Sequence, residues 1–169
     1  MPARRTPNLD QRGRKTTADS RFTLSALMGP QDANQHGNVH GGVIMRMVDE
    51  AGALVAMRHA NRPVVTVAVD SMTFEEPILL GNLVLCNAEL TYVGKTSMEV
   101  RVEVVTEDPM HGTAKTTNIA YLVYVALDPA GRPAVVPEIE FKSDDERARA
   151  DAARARQEFR KQQRALEQR

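Results

Sequence analysis

The chain has 169 residues, enough for one domain with a core of its own. Its 22 lysines and arginines balance 22 aspartates and glutamates, which removes any overall electrostatic pull toward nucleic acid or an anionic membrane surface. No apolar run approaches the roughly 20 residues of a membrane span, and the N-terminus lacks the apolar centre of a secretory signal, so a cytoplasmic protein is expected. The single cysteine, Cys86, cannot form an internal disulfide and sits in a strand-like segment, where a buried thiol is favoured over a reactive one.

Residues 1–19 carry basic residues and prolines with little to bury, which predicts a disordered arm; a basic targeting arm is the functional alternative. RFTLSALM, from Arg21 to Met28, reads as a first strand ended by Gly29-Pro30. A polar, glycine-rich loop with two histidines and two asparagines follows, and at Gly41-Gly42 it turns into a helix expected from about Gly42 to Ala60. Apolar residues cover nearly the whole circumference of that helix, so it is expected to be buried on almost all sides. Gly52, Ala53 and Ala56 give it one smooth face, which Asp49 shares.

After Asn61-Arg62-Pro63 the pattern changes to β-like runs at 64–72, 83–93, 97–106 and 115–127. In SMEVRVEVVT apolar and polar residues alternate, as in a half-buried antiparallel strand. Four long strands after one buried helix predict an α+β architecture in which an antiparallel sheet wraps that helix, with dimerisation as a natural way to hide a sheet edge. From Ser143 the chain becomes rich in alanine and arginine behind a Ser143/Glu146 capping box. With little apolar surface, residues 139–169 are expected to be a solvated, partly frayed helix. Acidic residues interleave with its arginines, which argues against a nucleic-acid role.

The loop and helix hold the candidate chemistry. A glycine-rich loop entering a helix exposes backbone N–H groups at a positive helix end, a place suited to an oxygen that becomes anionic during reaction. Gly41 and Gly42 allow close approach, Asn34 offers a donor and an acceptor, and Asp49 is a buried-helix carboxylate that needs either a partner such as Arg46 or a use. Together they supply the parts for attack on a carbonyl. His36, Asn38, His59 and His111 have no metal-ligand spacing, so no metal is expected. Glu50 points away from Asp49 and reads as an interface or salt-bridge residue.

The run DANQHGNVHGG, MVDEAG fifteen residues after Asn34, then VTVAVDSMTFEEPI, YVGKTSMEV and VALDPAGRP, resembles the hot-dog-fold acyl-CoA thioesterases of the YciA and brain acyl-CoA hydrolase type. The resemblance covers about residues 20–138. It implies a long helix wrapped by an antiparallel sheet, hydrolysis of acyl-CoA to a free acid and CoA without a cofactor, and a homodimer with shared active sites assembled as a trimer of dimers. Carried over, the catalytic pair is Asp49, as base or nucleophile, and Asn34 from the partner subunit. Gly42 or Gly41 would hold the carbonyl oxygen. His40 would act as a general acid or shape the loop. Lys95, Thr96 and Ser97 in the turn after Gly94 become phosphate or pantetheine contacts, Arg58 a CoA contact or a cap for the helix C-terminus, and the backbone around Val67 a partner for pantetheine amides. The alternatives are an acyl-CoA-binding regulatory module without turnover, and a hot-dog hydratase or dehydratase.

Overall fold

The computed structural model describes residues 12–70, 72–74 and 76–167. Its centre is helix α1, Gly41–Ala60, against which five strands pack: β2 (Phe22–Leu27), β3 (Val64–Val69), β4 (Leu83–Val93), β5 (Ser97–Asp108) and β6 (Thr113–Ala126). They form one antiparallel sheet in the order β2-β4-β5-β6-β3. The strands that follow one another through tight turns, β4, β5 and β6, make its middle, while the strands flanking α1 in sequence become its two edges.

The expected all-round burial of α1 is corrected to burial along one face: Met45 and Met57 are exposed together with Arg46, Glu50 and Arg58, because the sheet covers only the side of the helix that packs against it. Ile44, Val48, Ala51, Val55 and Ala56 are essentially inaccessible, and each large apolar side chain so buried contributes about 1.5–3 kcal/mol. They meet Val84, Cys86, Val100, Val102, Leu122 and Tyr124 from the sheet. Burial pushes the Cys86 thiol up to about 12, so it is an inert core group. Asn61 ends α1 in the left-handed conformation, φ +50°. Lys15 Nζ donates to the Arg58 and His59 carbonyls at 2.9 Å each, satisfying orphan acceptors at that end.

Two expectations change at the chain's ends. Residues 1–11 lie outside the described residues. The rest of the expected arm is built into the fold: Arg14–Thr16 is strand β1, paired in parallel with β7, Glu138–Glu140, and Thr17–Asp19 is a 3-10 turn. The pairing partner lies more than 120 residues away, which no local pattern could reveal.

Helix α2, Asp144–Glu167, is docked along one face, with Glu146, Ala150 and Ala153 buried and Arg149, Arg156, Gln157 and Arg160 half-buried at helical spacing. Its seat is polar. Glu99 of β5 is wholly inaccessible, and receives Arg156 at 2.8 Å, Arg160 at 2.7 Å and the Thr91 hydroxyl at 2.8 Å. Arg160 also reaches Asp70 at 2.6 Å, and Arg156 stacks 3.7 Å from the centre of the Tyr121 ring. Small alanines let the helix approach, and arginines with long apolar stems supply both packing and charge.

Candidate active site

The loop before α1 is tied down at both ends. Asp32 accepts the Gly29 N–H at 2.8 Å, its carbonyl accepts His40 N–H at 2.7 Å, and Val39 N–H donates to Ile78 O at 2.8 Å. Asn34 Oδ1 accepts the N–H groups of His36 (2.8 Å) and Asn38 (3.2 Å), which makes the side chain a turn former. Among the described residues its amide nitrogen donates to nothing, and the side chain is half-buried.

His40 is the N-cap of α1. Its Nδ1 accepts the Gly42 N–H at 2.9 Å, so this ring nitrogen takes the hydrogen bond that the sequence reading offered to a substrate oxygen. That geometry favours the loop-shaping role of His40 over the general-acid role. Among the described residues Gly41 N–H has no backbone acceptor, as expected at the first position of a helix. The Phe74 ring lies 3.6 Å from where a Gly41 Cβ would be, so the glycine lets an aromatic wall come close to a free donor.

Asp49 lies eight residues into α1, about 12 Å of rise from Gly41, and is half-buried. It has no cationic partner among the described residues, since Arg46 pairs with the exposed Glu50 at 3.6 Å. Instead the Thr66 hydroxyl donates to Asp49 Oδ1 at 2.7 Å, and the Tyr124 hydroxyl lies 3.3 Å from the same oxygen and 2.9 Å from the Asp49 carbonyl. Oδ2 has no hydrogen bond among the described residues. No bond joins Asn34 to Asp49 within the chain.

Thr66 and Tyr124 escaped the sequence reading. They are direct cross-strand partners on β3 and β6, so the register of one strand pair aims both hydroxyls at one carboxylate. A bulge immediately after Thr66 sets Val67 apart from the ladder. The only hint in the sequence is a threonine and a tyrosine within runs of aliphatic residues, VVTVAV and YLVYVA.

The remaining candidates gather less closely. Gly94 N–H closes the β4–β5 turn on Ser97 O at 2.8 Å, and the turn's carbonyls are occupied: Lys95 O by Arg12 (2.7 Å) and Val136 N–H (3.1 Å), Thr96 O by Ala126 N–H (3.0 Å). The Lys95 side chain is exposed. Val67 and Ser97 line one cleft of about 150 Å³ with Arg160, Lys161 and Arg164 of α2. Arg58 stands apart, about 25 Å along α1 from the glycines; it donates to Arg21 O at 3.1 Å and lies over the Phe22 ring at 5.9 Å.

Comparison with known proteins finds relatives and solved structures over most of the chain. The thioesterase superfamily model matches residues 36–113. The cytosolic acyl coenzyme A thioester hydrolase of Rattus norvegicus is 33% identical over 143 residues, which is 83% of this chain and 38% of the rat protein, so the chain spans about two-fifths of that relative's length. The acyl-CoA thioester hydrolase YciA of Salmonella typhimurium is 37% identical over 125 residues, 72% of this chain and 93% of that one. An acyl-CoA hydrolase from Staphylococcus aureus, solved with butyryl coenzyme A, coenzyme A and coenzyme A disulfide, superposes with a TM-score of 0.84 at 35% identity over 92% of this chain and 94% of that one. Variants of the same enzyme with one asparagine, one aspartate or one threonine replaced by alanine match as well. A hexameric acyl-CoA thioesterase superposes with a TM-score of 0.87 at 35% identity over 91% of this chain and 99% of that one. The chain belongs to the thioesterase superfamily and has its hot-dog fold.

Proposed function

We propose that the protein hydrolyses the thioester of acyl-CoA to a carboxylic acid and CoA, with Asp49 as the group that activates the attack. The observation that carries this reading is the carboxylate itself: half-buried on a core helix, without a cation, held through Oδ1 by hydroxyls and free at Oδ2. A structural carboxylate at such depth would be neutralised or fully bonded. Oδ2 takes the proton of a water that attacks the thioester carbon. The carbonyl oxygen becomes an oxyanion against the Gly41 N–H of a second copy, because Gly41 of the same chain lies about 12 Å along α1 from Asp49; the C–S bond breaks, and the thiolate leaves with the proton returned to it from Asp49. Direct attack by Oδ2 would instead form a mixed anhydride that water then hydrolyses.

Asn34 acts from a second copy, where its free amide orients the water or the thioester. Three features support this. Asn34 and Asp49 of one chain are unbonded, and β3 is an edge strand with Val65, Val67 and Val69 exposed along it. The asparagine, aspartate and threonine replaced in the staphylococcal enzyme are separated by fifteen and seventeen positions, as are Asn34, Asp49 and Thr66. A homodimer with two shared sites, assembled as a trimer of dimers, is the proposed unit, in line with the hexameric neighbour.

The test is thiol release from a panel of acyl-CoA chain lengths by the native protein and Asp49→Ala. The reading expects turnover that Asp49→Ala loses by 100-fold or more, on the order of a general base's contribution. Near-native turnover by a folded Asp49→Ala protein would refute it, and tight binding without release would point to an acyl-CoA-binding module.

A further inference from the structure

The Asp49 carboxylate is mounted as well as exposed, and the mount is specific. The Tyr124 hydroxyl has one proton to donate and lies between two acceptors, the Asp49 carbonyl at 2.9 Å and Oδ1 at 3.3 Å. It therefore links the helix backbone at residue 49 and the side chain of the same residue to the sheet. Burial, reinforced by the negative charge of Asp49, pushes the Tyr124 phenol well above its ordinary value, so it remains a donor wherever the carboxylate is ionised. Tyr124 is itself wholly inaccessible, which leaves it no rotamer to wander into.

This approach is possible only because residue 52 is glycine. A Cβ at Gly52 would stand 2.3 Å from the Tyr124 hydroxyl, a distance packed atoms do not adopt, and 3.0 Å from two of its ring carbons, which is also tight. Gly52 is in the interior of α1, where glycine costs about 1 kcal/mol relative to alanine. Its φ is not in the left-handed region, so backbone conformation does not require it. What it provides is clearance, one turn along the helix from Asp49, on the face where the phenol arrives.

From these contacts we infer that Tyr124, admitted by the missing side chain of Gly52, is a positioning residue for the reaction: it locks Asp49 onto the sheet with Oδ1 occupied and Oδ2 turned free. The inference rests on the reading of Asp49 as the activating group. Tyr124 touches no reacting atom and acts through Asp49. Thr66, its cross-strand partner, holds the same oxygen from the edge strand, so the carboxylate is gripped by two adjacent strands and the helix that bears it. Removing the phenol hydroxyl leaves the carboxylate with one donor fewer and a rotatable side chain, which weakens the alignment.

The experiment compares native protein, Tyr124→Phe, Gly52→Ala, the double variant and Asp49→Ala over a range of concentrations of one acyl-CoA. Tyr124→Phe keeps the ring and its packing. It is expected to lose about tenfold in kcat with KM little changed. Gly52→Ala, by displacing the phenol, is expected to show the same loss in kcat at little changed KM, and adding it to Tyr124→Phe costs much less than the product of the two single losses. Should Gly52→Ala fail to fold, the isosteric Tyr124→Phe decides alone. A Tyr124→Phe protein with native kcat, or with its loss carried by KM instead of kcat, overturns the inference while an inactive Asp49→Ala leaves the activity reading standing. An active Asp49→Ala overturns both.

Discussion

Two carboxylates sit next to the central sheet and are treated in opposite ways. Glu99 is sealed under α2 and saturated: two guanidiniums and a hydroxyl meet its oxygens, and no water reaches it. Asp49 is only half-buried and, among the described residues, is offered hydroxyls but no cation and keeps one oxygen open. The difference separates structural charge from chemical charge. A carboxylate with every lone pair matched is inert and holds elements together, whereas one held on a single side is aimed and still basic.

The strongest way to break this comparison is to exchange the consequences of losing each group. Asp49→Ala should abolish most turnover, 100-fold or more, while its thermal midpoint stays near native, because no cation among the described residues is left unpaired and the Tyr124 hydroxyl keeps the backbone carbonyl of residue 49 as acceptor. Glu99→Ala should do the reverse. It leaves Arg156 without its carboxylate and Arg160 with Asp70 as its remaining ion pair, so a loss of about 3 kcal/mol, the low end for a broken buried pair, is expected in denaturant unfolding, with α2 loosened. A Glu99→Ala protein as stable as the native one would remove the contrast.

Sharing of the site between copies is the next test. Mixing chains carrying Asp49→Ala with chains carrying Asn34→Ala should restore activity that neither homodimer has, to about a quarter of native sites on random pairing of a two-fold dimer. No recovery would mean that both residues serve one site within a chain.

Thr66→Ala removes one of the two donors to Oδ1 and is expected to lower kcat about tenfold without affecting the Glu99 cluster. Unchanged kcat would show that the hydroxyl contact has no part in aiming Asp49.

The smallest effect is one of pH. His59 is buried with Nε2 2.9 Å from Pro137 O and Nδ1 without a partner, and desolvation lowers its value below the ordinary 6.5. The unfolded chain therefore takes up a proton before the folded one. The contribution of neutral His59 is complete above about pH 6.5 and is lost progressively as pH falls from there through the lower folded value. A His59→Gln protein should show a flatter fall of melting temperature between pH 7 and pH 5; an identical slope would place the pH sensitivity elsewhere.

Much of this molecule is legible in one dimension. The apolar circumference of α1, the alternation in β5 and the β-branched runs come from local periodicity, and the ends of these elements fall within a few residues of expectation. β3 stops at Val69 where the run suggested Met72, and β5 and β6 extend further into their hairpin, because pairing and not composition ends a strand. Asn34, His40, Gly41 and Asp49 stand out because a polar, glycine-rich loop and a lone acid contradict the buried helix they enter. α2 was misjudged for the opposite reason. Its docking face is made of alanine and arginine, residues that read as solvated until Glu99, more than fifty positions earlier, is placed beneath them. Glu99 itself sits at an outward position of an alternating strand and reads as exposed.

By itself, the sequence determined where the central helix lies, which segments are strands of the main sheet, and that an acid sits inside the helix, because each of these follows from neighbours along the chain. Only the tertiary structure decided what that acid meets. Thr66 and Tyr124 become its partners through the β3–β6 register, Gly52 matters because of the phenol pressed against it, and His40 spends its Nδ1 on Gly42. Hydrogen bonds at 3 Å depend on how strands pair and how closely a helix lies on them, and those distances are set by packing across the fold and not by order along it.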